Sequence, residues 1–152
     1  MHGIWESLFL GLQIFHVAFL LLHDWVPLGK FNDIRAQRTT DPLGKRVLTT
    51  VLSALPFLLL LAFSVRDVRA HRISHSLVFW LWVGYGALLA GELKAWWIPY
   101  FLRQEPERAA RYQRLFGATH GFLKERNGIR PNTLHAVLHA ATLCMLLLLF
   151  RL

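Results

Sequence analysis

Cysteine is almost missing from this chain. The 152 residues hold one, Cys144, together with two methionines and nine acidic residues. A lone thiol in an apolar stretch has no partner for disulfide exchange within the chain, and burial disfavours a thiolate nucleophile. The phosphate-binding loop Gly-x-x-x-x-Gly-Lys, the dinucleotide fingerprint Gly-x-Gly-x-x-Gly, the nucleophile elbow Gly-x-Ser-x-Gly and Cys-x-x-Cys are all absent. No nucleic-acid motif is present either, although the net charge is +8. Charge is also missing from two long runs, Val47–Val65 and Thr133–Phe150.

What fills the chain instead is apolar. Hydrophobic residues make up 55% of it, and the mean hydropathy is +0.38. A hydrocarbon core about 30 Å thick takes roughly 20 apolar residues in helical form. Four segments meet that length: Ile4–Leu22, Val47–Val65, Ser76–Ala95 and Asn132–Phe150. None shows the alternation of a barrel strand, and only helices or closed barrels satisfy backbone groups in lipid. The expected fold is all-α: a polytopic membrane protein, a single domain over residues 1–152, built as a compact bundle of four transmembrane helices. The four spans leave no room for a soluble catalytic domain. Glu6 stands where a signal peptide carries positive charge, so the first segment is expected to be retained.

The basic residues predict an orientation. The loops joining spans one to two and three to four carry twelve: Lys30, Arg35, Arg38, Lys45, Arg46, Arg103, Arg108, Arg111, Arg114, Lys124, Arg126 and Arg130. The opposite side carries Arg66, Arg69, Arg72 and Arg151. The positive-inside rule places both termini outside a cytoplasmic (inner) membrane. Anionic lipid head groups are the expected partners of the basic loops, rather than nucleic acid. In the third loop Glu105–Phe116 reads as an amphipathic, interfacial helix, with Arg108, Arg111 and Arg114 along one line and Ala109, Tyr112 and Phe116 along another. Asp41 and Asn132 read as helix caps. Gly86 with Ala90, and Ala87 with Gly91, have the spacing for close helix contact in a homo-oligomer.

Ionisable residues inside the spans gather toward one end. Asn132, His135, His139 and Thr142 share a helical face, as do His16 and His23 with Gln13 beside them. Tyr85 and Glu92 share another, and Thr49 and Ser53 a fourth. Such groups are costly in lipid and point to function. At about 1.5 Å of rise per residue, His16, Glu92 and His139 fall at similar depth.

Three functions fit that cluster. The first is metal-dependent chemistry on a membrane-soluble or amphiphilic substrate. His135 and His139, at i and i+4, would chelate a transition metal such as zinc or iron, with Glu92 and His16 as further ligands. Asp24 or His23, nearer the mouth, would serve as general base. Haem held by His16 and His139 ranks below a small metal ion, because nothing else in the sequence specifies a haem pocket. The second function is a proton-coupled small-solute carrier or channel subunit, using the same groups as a relay. The third is a non-catalytic membrane scaffold, in which the polar residues cap helices and bond across them.

Overall fold

The structure, a computed structural model, describes residues 3–103 and 105–152. It is all-helical, with 75% of the chain in helix and no strand among the described residues. Seven α-helices follow in order: α1 (Gly3–Leu22), α2 (Ile34–Thr40), α3 (Leu43–Arg69), α4 (His75–Glu92), α5 (Ile98–Phe101), α6 (Pro106–Phe116) and α7 (Thr133–Leu149). Between α4 and α5 the helix runs on through one wide π turn, Leu93–Trp97. Among the described residues three helical stretches are long and apolar enough to cross a membrane: Gly3–Leu22, Leu43–Arg69 and His75–Phe101. The fourth, α7, is apolar but has 17 residues.

Sequence periodicity placed the long helices well and their ends less well. The second begins a turn earlier than expected and continues to Arg69, because no residue between Leu43 and Arg69 stops it; even Pro56 is accommodated inside. The third does not end at Ala95 but changes pitch there. Asn132 caps α7 as expected, accepting from the amide of His135 at 2.9 Å. Asp41 does not cap α3, since Pro42 occupies that position. The Asp41 carboxylate instead takes Lys45 at 2.7 Å and Arg111 at 2.6 Å.

The four longest helices, α1, α3, α4 and α7, pack in a ring in which α1 and α4 each touch both α3 and α7. Their shared interior holds Phe9, Leu81, Tyr85 and Met145, each no more than 1% exposed. Gly84 lets α4 approach α3 closely, because a Cβ there would stand 2.9 Å from the Leu60 Cδ1. Outward-facing residues of α7 are Val137, Ala140, Leu143, Cys144 and Leu147, all weakly polar or apolar.

The connections 23–42 and 105–132 fold together over one end of this ring. The Lys30 carbonyl accepts from the His120 amide (2.7 Å), and the His120 carbonyl accepts from the Thr133 amide (2.8 Å). Asn132 donates to the Phe31 carbonyl at 3.2 Å. A second apolar cluster forms here around Trp96, Tyr100 and Ile129, with Ala109, Tyr112 and Phe116 of α6 packed on it. The α6 helix is therefore present as expected, but its apolar line faces Trp96 rather than lipid. Arg108 donates to the Lys94 carbonyl and pairs with Glu105, and Arg111 pairs with Asp41, so two of its three arginines are held within the chain.

Candidate functional site

Glu92 closes α4 with its side chain turned inward and 6% exposed. Opposite it on α7, Thr142 is inaccessible, and its hydroxyl donates to Glu92 Oε1 at 2.8 Å. From α1, His16 brings Nε2 to 3.2 Å from the same hydroxyl oxygen. The other ring nitrogen of His16 lies 2.6 Å from the Leu12 carbonyl, one turn back on its own helix. Tyr85 closes the site below, its ring edge-on to His16 at 4.9 Å. Three helices thus meet at one hydroxyl. Helical spacing explains why: His16, Glu92 and Thr142 each lie on an inward face that is otherwise Leu, Phe, Tyr and Met.

Counting donors and acceptors fixes what this link can hold. A carbonyl only accepts, so His16 Nδ1 must carry a proton to satisfy Leu12. The Thr142 hydroxyl has one proton. If Thr142 gives it to Glu92, His16 Nε2 must also be protonated to donate to Oγ1, and the link is imidazolium–hydroxyl–carboxylate. If Thr142 gives it to His16 Nε2, the ring is neutral and Glu92 must be the carboxylic acid. Both arrangements carry the same number of protons and no net charge. They differ by one proton moved from His16 to Glu92, with the hydroxyl turning between them. The Leu138 carbonyl, 3.1 Å from Oγ1, is a resting acceptor for the hydroxyl during that turn. Glu92 Oε2 is buried and has no hydrogen-bond partner among the described residues.

Other polar groups extend the site along α1. Three residues before His16, Gln13 is inaccessible and accepts from the Ser64 hydroxyl of α3 at 3.1 Å. Toward the capped end, His23 Nε2 stands 3.1 Å from Asp24, and His23 Nδ1 is 2.8 Å from the Phe19 carbonyl. Both ring nitrogens of His23 are therefore engaged, and neither is free as a base while the Asp24 pair holds. Asp24 itself is partly open to solvent. The His135 ring is 5.6 Å from that of His23 and is surrounded by Trp96, Phe116 and Phe19. Its Nδ1 bonds the Asn132 side chain at 2.7 Å.

The expected four-ligand set does not assemble. His16 and Glu92 meet, but through Thr142 rather than through a shared ion. His139 turns the other way and accepts from the Trp97 indole at 3.1 Å. His135 stays with Asn132 and His23. Among the described residues no three His, Cys, Asp or Glu side chains are grouped so that they could hold a metal ion. Nor do Thr49 and Ser53 form an inward stripe on α3: Thr49 is exposed, and Ser53 donates to the Thr50 carbonyl. The buried polar groups of α3 are Arg46, Ser64 and Asp67, none singled out by periodicity. Arg46 lies over the Trp25 ring at 4.3 Å and donates to the Asp24 carbonyl. The π turn that aims Trp97 at His139 leaves no signature in the sequence. Outside the long helices, burial pushes the Asp41 pKa up, but Lys45 and Arg111 outweigh that and hold the carboxyl below its ordinary range.

Comparison of the chain with models of protein families, with curated proteins and with solved structures found no match in any of the three.

Proposed function

We propose that this chain is a four-span integral membrane protein of a cytoplasmic membrane, with both termini outside, acting as a proton-coupled carrier of a small solute. The observation that carries the reading is the Glu92–Thr142–His16 link, a buried site that holds one proton in either of two places. A carboxyl, a hydroxyl and an imidazole in series make a relay, and such groups in membrane helices mark proton pathways. The fourth span is supported by α7 itself: at 1.5 Å per residue it is about 26 Å long, and its outward side chains suit lipid. In a four-helix bundle it would pack between α1 and α4.

The extent of the polar groups favours a carrier over an open channel. His23, His16 and Gln13 mark a stretch of α1 about 15 Å long, roughly half the hydrocarbon thickness. Beyond Gln13 the interior is closed by Phe9, Leu81 and Met145. A proton held at Glu92 therefore reaches the far side only when these helices move apart, which is how a carrier couples a proton to a conformational step. A second copy could join through the α4 face bearing Gly86, Ala87, Ala90 and Gly91, where a Cβ on either glycine would meet nothing. Arg114, exposed on α6, is the arginine best placed to meet anionic lipid. Metal-dependent chemistry would need a ligand set completed by groups outside those that meet here. Elemental analysis of the purified protein tests it separately.

The test is proton uptake into proteoliposomes carrying an internal pH-sensitive dye, after an inside-negative potential is imposed. Wild-type protein should acidify the lumen faster than empty vesicles. Glu92→Gln and Thr142→Val should each slow it by at least about tenfold, the scale of a lost positioned proton-transfer group. Uptake by both variants at the wild-type rate, or none by the wild type, would overturn the reading.

A further inference from the structure

His139 turns away from the Glu92–Thr142–His16 link to a cleft on the outer side of the helices. It is 6% exposed, and it forms part of the wall of a cleft of about 690 Å³ between the end of α4, α5 and α7. Leu93, Trp97, Phe101, Phe122, Ala140 and Leu143 supply most of the remaining wall. Volumes of this order hold drug-sized ligands. Among the described residues no Asp, Glu, Lys or Arg lines the cleft. Arg126 stacks on Phe101 at 5.8 Å but stands outside the lining.

The tautomer of His139 is set by its neighbour. An indole nitrogen only donates, so the Trp97 bond at 3.1 Å requires His139 Nδ1 to be the acceptor. The neutral ring then carries its proton on Nε2. That N–H makes no hydrogen bond among the described residues, yet it is not one of the fully enclosed unpartnered atoms. It is a donor held at the wall of an otherwise apolar cleft, and a donor left unpaired in such surroundings is costly. Beside it, the Trp97 and Phe101 rings lie nearly parallel, their planes 17° apart and centroids 5.9 Å apart, and form the aromatic part of the wall.

We infer that this cleft binds a neutral, lipid-soluble carbonyl compound of the quinone class, with one carbonyl oxygen accepting from His139 Nε2–H and the ring lying against the Trp97–Phe101 wall. A phospholipid head group would bring a phosphate that finds no cation in the lining. A plain acyl chain would leave the donor unsatisfied. A quinone supplies a planar ring, an acceptor and an apolar tail that continues into the bilayer. The inference is of binding alone, and it shares with the proposed function only the placement of the helices in lipid.

The probe is decylubiquinone, added to the protein in phosphatidylcholine nanodiscs and followed by saturable quenching of tryptophan fluorescence. Wild type should bind about one molecule per chain. His139→Leu should weaken binding about 3- to 10-fold, the worth of one neutral hydrogen bond. Ala140→Phe, on the exposed side of α7, should abolish it by filling the cleft, and this variant decides the matter if His139→Leu does not fold. Decylbenzene, which has the tail without the carbonyls, should compete at least tenfold more weakly. Absence of a saturable component in the wild type, undiminished binding in Ala140→Phe, or equal competition by decylbenzene would overturn the inference. Because no proton flux is read, failure here leaves the relay standing, and failure of the relay leaves this site standing.

Discussion

Helices α3 and α7 stand diagonally across the ring, each packed against α1 and α4, and have opposite characters. The first has 27 residues, a hydropathy of 2.2 and an outward surface of Val47, Leu48, Val51, Leu52, Leu55 and Leu59. It gives the interior site one hydroxyl, Ser64. The second is ten residues shorter, yet it supplies Asn132, His135, His139 and Thr142, one on each successive turn of a single face. Without water in lipid, apolar burial between helices contributes little, and association rests on packing and on interhelical hydrogen bonds. In the proposed membrane placement the long helix meets lipid, and the short one is held by its neighbours. Removing a side chain should therefore matter on α7 and hardly at all on the outer face of α3.

The largest effect is expected at Thr142. Thr142→Val keeps the shape but leaves Glu92 and His16 facing a methyl group. Two buried polar groups without a partner should lower stability by about 1–3 kcal/mol, read by unfolding titration in mixed micelles. Asn132→Ala comes next. It removes the cap of α7, the bond to His135 and the bond to Phe31, with an expected loss of about 1–2 kcal/mol. A loss at Asn132 equal to that of an exposed α3 leucine would break the comparison.

A smaller effect is expected in the cap, where it depends on pH. The folded Asp41 carboxyl titrates below its unfolded value, so the stability from its pairs with Lys45 and Arg111 is fully present above about pH 4. It is lost as pH falls through the lowered folded value. Protection of the α6 amides, taken relative to the unfolded-chain rate at each pH, should accordingly weaken as pH falls from about 4 toward about 2, and Asp41→Asn should show the weaker protection at both. Protection in the wild type that ignores this interval would show that the Arg111 pair does not hold α6 in place. The smallest effect is expected on α3. Leu52, 64% exposed, should tolerate alanine within about 0.5 kcal/mol.

The same contrast explains what could be read from the chain. The helices α1, α3 and α4 were legible because a run of 18 or more apolar residues admits few other structures. The cap at Asn132 was legible from local chemistry, and the meeting of His16 with Glu92 from depth and facing. The direction of His139 was not legible. It depends on a π turn at Leu93–Trp97, which rotates Trp97 relative to the helical phase that precedes it. Ser64 escaped notice because one hydroxyl in a leucine-rich helix has no periodicity. The inward packing of α6 was hidden because a line of Ala109, Tyr112 and Phe116 looks the same whether it meets lipid or Trp96. The metal expectation followed from the His-x-x-x-His spacing, which fixes a shared face but not where each ring finds its bond.

Nitrogen-15 spectra of selectively labelled His16 in bilayers test the central claim most directly. The Leu12 carbonyl requires a proton on Nδ1 in both forms of the link. The account predicts either two protonated ring nitrogens or the Nδ1–H tautomer with Nε2 accepting. In Glu92→Gln, where no proton can pass to residue 92, only the neutral Nδ1–H form should remain. A neutral His16 protonated on Nε2, or a wild-type Nε2 signal that responds to neither pH nor Glu92→Gln, would contradict it.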